Sequence, residues 1–523
     1  MATITAGHRS LSDTFIAARK VSIPLIVVRS GDHAATIAAL GELVTNPQTK
    51  QSAPALRWEA VNGLAPVNTL GTAVRAQIAA QPQLTIPDVE MLTRLEKAPA
   101  FTCTFMQNAH LFWKAPQTLQ AIWNLRDLFK RDGRTLVLLT TLGAPIPTEL
   151  ANDVVTLEEP LPTKDQLAAT VRSIYESVQQ AADDAIVGRA VEALAGVRTS
   201  FLAEQNAAIC MTKSGVNIDD LWAQKKALIN DTPGLRYMDP TLSFADLGGC
   251  DALKTFFKLL FTGAAQPSVL VFMDEIDDMF AGVGGDTSGV STVMHGKFLT
   301  QITKTQAKGV LLLGHPGVGK SAIVEAAAHE YGKPLVGLDF GDIKNSLVGA
   351  SEERTAQALA VIDAISFGRA LYIGTCNSTG NLSPQLMRRF PWRFFFDLPT
   401  KAERKLIWPV YEQRPHADAS GPLTKAQLAD RPDDANWTGA EIRECCENAW
   451  RFSCSLAQAA NYVVPIARSR PEDVDSRRKE AANRYLSASY PGEYRLQNAE
   501  TPKVATVPVT VPVPRFISDM KES

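Results

Sequence analysis

The chain has 523 residues, too many for one hydrophobic core and enough for about three or four domains. Its 53 Lys and Arg stand against 55 Asp and Glu, a net charge of -2, so no general basic field argues for nucleic acid or an anionic membrane as partner. Seven cysteines without C-x-x-C spacing point to reduced thiols in a cytoplasmic compartment, and neither a signal-like apolar core nor a run of about 18 apolar residues argues for export or membrane insertion.

The pattern of residues 15–160 predicts an α/β layer domain: strands at 23–28, 104–113, 135–141 and 153–160, with helical periodicity between them. The first strand is followed by Arg29 to His33, a strand-turn-helix that has neither a glycine cradle nor a Lys-Ser pair, so this module is expected to bind no nucleotide. LPTK at 161–164 recurs at 398–401, each time after a strand-like run and before a helix with a T-x-x-[EQ] capping pattern, Thr163 with Gln166 and Thr400 with Glu403. The repeat predicts two modules of one architecture, with helical stretches over 165–230 and 401–490.

Residues 268–280, SVLVFMDEIDDMF, read as a buried strand ending in Asp274 and Glu275. Paired carboxylates at a strand end suit metal-assisted hydrolysis: Asp274 would hold Mg2+ through water and Glu275 would polarise the attacking water. An ordinary acidic loop after a core strand is the bland alternative. Residues 310–313, VLLL, then lead into GHPGVGKS, the G-x-x-x-x-G-K-[ST] phosphate loop. Gly314, His315, Pro316, Gly317, Val318 and Gly319 would turn backbone N–H groups around a polyphosphate, and the helix through Lys320, Ser321 and Ala322 aims its positive end at the same anion. Lys320 adds a full charge and the Ser321 hydroxyl completes Mg2+ coordination, so the expected ligand is a magnesium nucleoside triphosphate rather than bare phosphate.

Strand 370–378 ends at Asn377, placed either to bond the attacking water or γ-phosphate or simply to form a turn. Arg388, Arg389 and Arg393, before and within the next strand, suit a transferring phosphoryl group and could reach a neighbouring subunit; solvated arginines are the alternative. The charged run 468–480 reads as a solvated helix start, and the Pro- and Val-rich 501–516 as an extended arm. The resulting division is 1–163, 164–233, 234–400, 401–490 and 491–523.

FADLGG (244–249), the phosphate loop, SLVGASEER (346–354), MDEID (273–277), TCN (375–377), MRRF (387–390) and TGAEI (438–442) together resemble the AAA family of ATPases over residues 240–490. With its first half included, the chain resembles the AAA ATPases of cyanobacteria and plastids known as a conserved chloroplast frame. The resemblance implies a P-loop NTPase sheet of AAA+ type, ordered 5-1-4-3-2, with a helical lid, behind a degenerate AAA-like α/β module with its own helical subdomain. Backbone near Asp246 and Gly248 would line the adenine pocket, Gly439 and Ala440 would touch nucleotide from the lid, and Leu347 and Val348 would face a central pore. The absence of a pore aromatic argues against processive threading.

The implied activity is Mg-ATP hydrolysis coupled to remodelling of a protein partner by a homo-oligomeric ring, hexameric by resemblance, in the cytoplasm. One departure is large: in the family the phosphate loop precedes the Asp-Glu strand, whereas here the acids come first. Either the fold is locally permuted, with the 268–273 strand inside the same sheet and Asp274 beside Ser321, or the protein is a non-hydrolysing, ATP-sensing scaffold.

Overall fold

The computed structural model describes residues 10–78, 87–141, 144–280, 290–305, 307–344, 350–380, 382–413 and 422–496. Two compact units result. One comprises Met1–Tyr237, Asp286–Thr305 and Val336–Ala370; the other comprises Met238–Gly285, Gln306–Leu335 and Leu371–Ser523. This departs from a single boundary after residue 233. The helices Val290–Lys304 and Ala350–Ser366 pack on each other and belong with the first unit. There the Lys164 Nζ lies 4.7 Å above the Phe367 ring, and a Cβ on Gly196 would come within 2.5 Å of Ile365.

In the first unit, β1 (Leu25–Arg29), β2 (Ala55–Glu59), β3 (Gly63–Pro66), β4 (Cys103–Met106), β5 (Thr135–Thr140) and β6 (Val155–Glu158) form a sheet ordered β3-β2-β4-β5-β1-β6. The pairings of β1 with β5 and β6, of β2 with β4 and of β4 with β5 are parallel; β3 is antiparallel to β2. Alternation along β1 sends Leu25 and Val27 into one core and Ile26 and Val28 into another, so both faces are buried, as a parallel sheet requires. Four strands are those expected; the β2–β3 hairpin is additional, turning over residues 60–62 into Gly63, which takes φ 68° opposite Glu59. A separate cluster of helices between Lys164 and Asn230 includes the small hairpin of β7 (Met211–Thr212) and β8 (Gly215–Val216), whose Val216 packs in its core.

The second sheet contains β9 (Leu235–Met238), β10 (Val269–Met273), β11 (Gly309–Gly314), β12 (Leu335–Leu338), β13 (Ala370–Cys376), β14 (Trp392–Phe396) and β15 (Leu486–Ser487), ordered β15-β14-β11-β13-β10-β12-β9. Strands β14-β11-β13-β10-β12 have the spatial order 5-1-4-3-2. The first sheet has the same order in β6-β1-β5-β4-β2, but there the chain visits the positions as 1, 2, 3, 4, 5. In the second sheet it visits them as 3, 1, 2, 4, 5, and β10 nevertheless lies between β13 and β12.

Both LPTK runs begin helices in the same way. Thr163 and Thr400 each cap the third residue's N–H while Gln166 and Glu403 bond back to the cap residue, satisfying helix-end donors reciprocally. The lid is built on the helices Lys401–Glu412, Gly439–Arg451 and Leu456–Ala459, with Trp408, Trp437 and Ile442 in its core. It does not extend to residue 490. From Pro471 the chain leaves the lid: the helix Pro471–Ala481 leads into β15, which pairs in parallel with β14, and Tyr494 meets Phe395 edge to face. The tail expected from 491 therefore starts later, because Tyr494 is only 3 % exposed; residues 501–516 lie outside the described residues.

Candidate active site

The loop between β11 and the helix Lys320–Glu330 is shaped by Gly317 and Gly319, at φ 81° and 94°, a region that glycine enters without strain. No side chain caps the helix at Gly319, so its first N–H groups are left to an anion. Lys320 is 8 % exposed, and its Nζ donates to the carbonyls of Gly314 and His315 at 2.6 and 3.0 Å and to Asn377 Oδ1 at 2.9 Å. Burial first, and the nearby Arg477 with it, lower its pKa to about 8 against opposing contributions from Cys376, Asp274 and Asp277.

The strand order brings the acids to this loop. Ser321 Oγ lies 3.3 Å from Asp274 Oδ1. Thr375, fully buried on β13, donates its hydroxyl to Asp274 Oδ1 and accepts the Glu275 N–H at 2.9 Å, tying the Asp274 carboxylate and the Glu275 backbone to the neighbouring strand. Glu275 sits at φ 50°, a conformation that costs a non-glycine residue of order 1 kcal/mol and clusters at functional sites. Asn377 bridges the site, accepting from Lys320 and placing its Nδ2 3.4 Å from Glu275 Oε1. Asp277, 5 % exposed, accepts the N–H groups of Asn377 and Ser378 at 3.0 Å each and so holds that strand end. Sequence reasoning missed Thr375 and Asp277. Their only signal was a polar residue inside an apolar strand and a third acid after the pair.

A cleft lies against the loop, bounded by Asp246, Gly248, Gly317, Ala322, Tyr411 and Gly439. The Asp246 carboxylate is engaged in its own turn, accepting from Ser243 N and Oγ at 2.8 Å each, which leaves backbone to face the cleft. Gly248 is required by close approach, since a Cβ there would come within 2.7 Å of Ile407 N. The lid touches the loop directly: Ala440 N–H donates to Gly317 O at 3.0 Å.

Of the three arginines, Arg393 is committed locally, donating to the carbonyls of Phe390 and Met387. Arg388 is exposed, and the half-buried Arg389 has an Nε with no hydrogen-bond partner among the described residues. None of the three bonds to the phosphate loop of its own chain among the described residues. Leu347 and Val348 lie outside the described residues.

The corresponding turn in the first unit is closed on itself. Ser30 Oγ accepts the Asp32 N–H, bonds Thr36 Oγ1 at 2.8 Å and donates to Glu159 Oε2 at 2.6 Å. A carboxylate of the protein thus occupies the mouth of the turn.

Residues 310–367 match the model of the "ATPase family associated with various cellular activities (AAA)", a stretch that contains the phosphate loop but not Asp274, and residues 12–159 match the "SpoVK-like AAA ATPase, N-terminal domain". The chain carries AAA-family ATPase domains. It is homologous to plastid AAA domain-containing proteins called ycf46: 22 % identical to that of Guillardia theta, covering 71 % of this chain and 77 % of the relative, and 24 % identical to that of Gracilaria tenuistipitata var. liui, covering 71 % and 79 %. An outer mitochondrial transmembrane helix translocase of Danio rerio is 24 % identical over 27 % of this chain and 50 % of its own length. The solved FIGL-1 AAA domain is 17 % identical, covering 49 % of this chain and 94 % of its own at a TM-score of 0.30.

The AAA site has the donors that Mg2+ takes. A carboxylate and a hydroxyl, both hard oxygens on exposed residues, face each other across 3.3 Å beside a phosphate loop. Among the described residues no cluster of three or more His, Cys, Asp or Glu forms a separate metal site, all seven cysteines are free, and no helix is long and apolar enough to cross a membrane.

Proposed function

We propose that the protein hydrolyses Mg-ATP and uses the cycle to remodel a protein partner. The observation that carries this is the Asp274–Ser321 adjacency together with the Lys320–Asn377–Glu275 bridge, which draws phosphate grip, metal donors and candidate base to one point. Backbone N–H groups from Gly317 to Lys320 and the Lys320 ammonium would bind the polyphosphate. Asp274 and Ser321 would hold Mg2+, which when bound neutralises charge on the β- and γ-phosphates. Glu275, steadied by Thr375 and Asn377, would orient water and take its proton. Asp246 and Gly248 would flank adenine through backbone, with Gly439 and Ala440 closing over the nucleotide.

A protein partner is supported by the translocase relative, and a ring by Arg389, whose half-buried guanidinium meets no phosphate-loop residue of its own chain and would reach a neighbour's γ-phosphate, with Arg388 next in order. The plastid relatives suit a cytoplasm-like compartment. The position of β10 inside the sheet favours hydrolysis over a nucleotide-sensing scaffold. Steady-state ATPase assays with nucleotide binding test this: wild type should turn over, Lys320→Ala should not bind, and Glu275→Gln should bind but turn over at least ~100-fold more slowly. Equal activity in all three proteins would sink the assignment.

A further inference from the structure

The helix Pro471–Ala481 is the most polar in the chain by pattern, PEDVDSRRKEA, and its charges read as solvated; the structure uses three of them around the phosphate loop. Val474 and Ala481 are its buried residues. Arg478 donates to Asp397 Oδ1 at 2.8 Å, at the end of β14, and Glu480 accepts from Thr379, two residues past Asn377. Arg477, on the same turn, places Nη1 3.1 Å from His315 Nδ1, the second residue of the phosphate loop.

The hydrogen-bond roles in that contact are fixed. A guanidinium only donates, so His315 Nδ1 accepts and its proton resides on Nε2, which is buried and has no partner among the described residues. His315 is held neutral, its pKa lowered to about 4 by burial first and by Arg477 and Lys320 after it. Two cations thus bond one loop residue, Lys320 through the His315 carbonyl at 3.0 Å and Arg477 through its ring. Neither charge is matched by a carboxylate at contact distance. Lys320 bonds only neutral acceptors, and Arg477 has no ion-pair partner among the described residues, while Asp397 is engaged by Arg478 and by the Tyr494 hydroxyl at 2.7 Å. Two half-buried or buried cations, pre-positioned and unpaired on one loop, fit a ligand that brings more negative charge than a diphosphate.

We propose that Arg477, supplied in cis by the helix that follows the lid, binds the terminal phosphate of the nucleotide and gives the site its preference for triphosphate over diphosphate. The proposal rests on the ATP-site reading above. His315 is the positioning residue, holding the guanidinium at the loop, and Arg478 and Glu480 fix the helix that carries it.

Equilibrium binding of fluorescent ADP and of a fluorescent non-hydrolysable ATP analogue, both with Mg2+, to the full chain tests it. Wild type should favour the triphosphate, and Arg477→Ala should weaken triphosphate binding ~10-fold or more, the scale of a lost charge-assisted bond, while changing ADP binding less than about 3-fold. Arg477→Lys should recover part of the preference. Arg126→Ala, which removes an ion pair to Asp153 in the first unit, is the structural comparator: its melting temperature should fall with the triphosphate-to-diphosphate ratio kept. If Arg477→Ala does not fold, Arg477→Gln replaces it, with the same expected loss. Equal weakening of both nucleotides, or of neither, overturns the role of Arg477 while leaving the ATP site standing. Failure of wild type to bind either nucleotide overturns both.

Discussion

The Asp274 carboxylate lies 3.3 Å from the Ser321 hydroxyl although the acid stands 47 residues earlier in the chain. The sheet makes this possible by keeping its spatial order while the chain changes its path. Thr375, on β13, bonds both Asp274 Oδ1 and the Glu275 N–H.

Thr375→Val should therefore uncouple binding from turnover. The substitution keeps the volume but removes the hydroxyl that bonds Asp274 and the Glu275 N–H. ATPase kinetics should show kcat lowered ~10–100-fold, the range seen when a partner orienting a metal ligand is lost, with ATP affinity nearly unchanged. An unchanged kcat would remove Thr375 from the site.

Nucleotide affinity should fall as pH rises through about 8. Lys320 has a depressed pKa of about 8 from burial, and bound polyphosphate stabilises the charged form. Above that pH the lysine must take up a proton on binding, so affinity should drop by up to ~10-fold per pH unit, with proton uptake visible by calorimetry in buffers of different ionisation enthalpy. The same depression bears on folding: the unfolded chain binds the proton more tightly, so this group's penalty to stability is present at neutral pH and is relieved between about 8 and the ordinary 10.5. An affinity flat from pH 7 to 9.5 would contradict the assignment.

Gly317→Ala should damage nucleotide binding more than stability. Its φ of 81° disfavours a side chain, and the new Cβ would lie 2.6 Å from Ala440 Cβ, pushing the lid off the loop. Titration should show nucleotide affinity weakened ~10-fold or more, against a stability loss of about 1–2 kcal/mol.

Lys320→Ala in the full chain should leave no second site. The first unit's turn is closed by Ser30, Thr36 and Glu159, so no residual micromolar ATP binding is expected. A persistent stoichiometric signal would show that this module does take nucleotide.

Activity should depend on assembly if Arg389 acts on a neighbour. Specific activity should rise with protein concentration, and mixing Arg389→Ala with Glu275→Gln chains should restore part of the turnover that each lacks. No recovery at any mixing ratio would argue against action in trans.

What was legible in the sequence was local. A phosphate loop, an acidic strand end and two capping boxes depend on residues within a few positions of one another. The missed features depend on long-range pairing. Thr375 matters because β13 meets β10 about a hundred residues away, and Arg477 because its helix returns to β14 after the lid. Nothing in RSRPEDVDSRRKE distinguishes a solvated helix from one whose single face carries His315, Asp397 and Thr379 contacts. The β2–β3 hairpin was signalled by Asn62-Gly63 and overlooked.

In both sheets the strand at position 3 is followed by a residue with left-handed φ that opens a short helix, Asn108 at 51° after β4 and Glu275 at 50° after β10. The first unit retains the backbone turn with amides, Gln107 and Asn108, where the second has Asp274 and Glu275.

The early position of β10 also matters during synthesis. In the first sheet, β4 emerges when its neighbour β2 is already made. The VLVFM strand of β10 emerges with neither neighbour available, since β12 ends at Leu338 and β13 at Cys376. At about 5–20 residues per second, the roughly 60 residues to β12 take about 3–12 s, during which an uncharged, β-prone segment has no partner strand. Protection of that segment while the ribosome completes the sheet is thus a requirement that the reordered path imposes and the first module does not share.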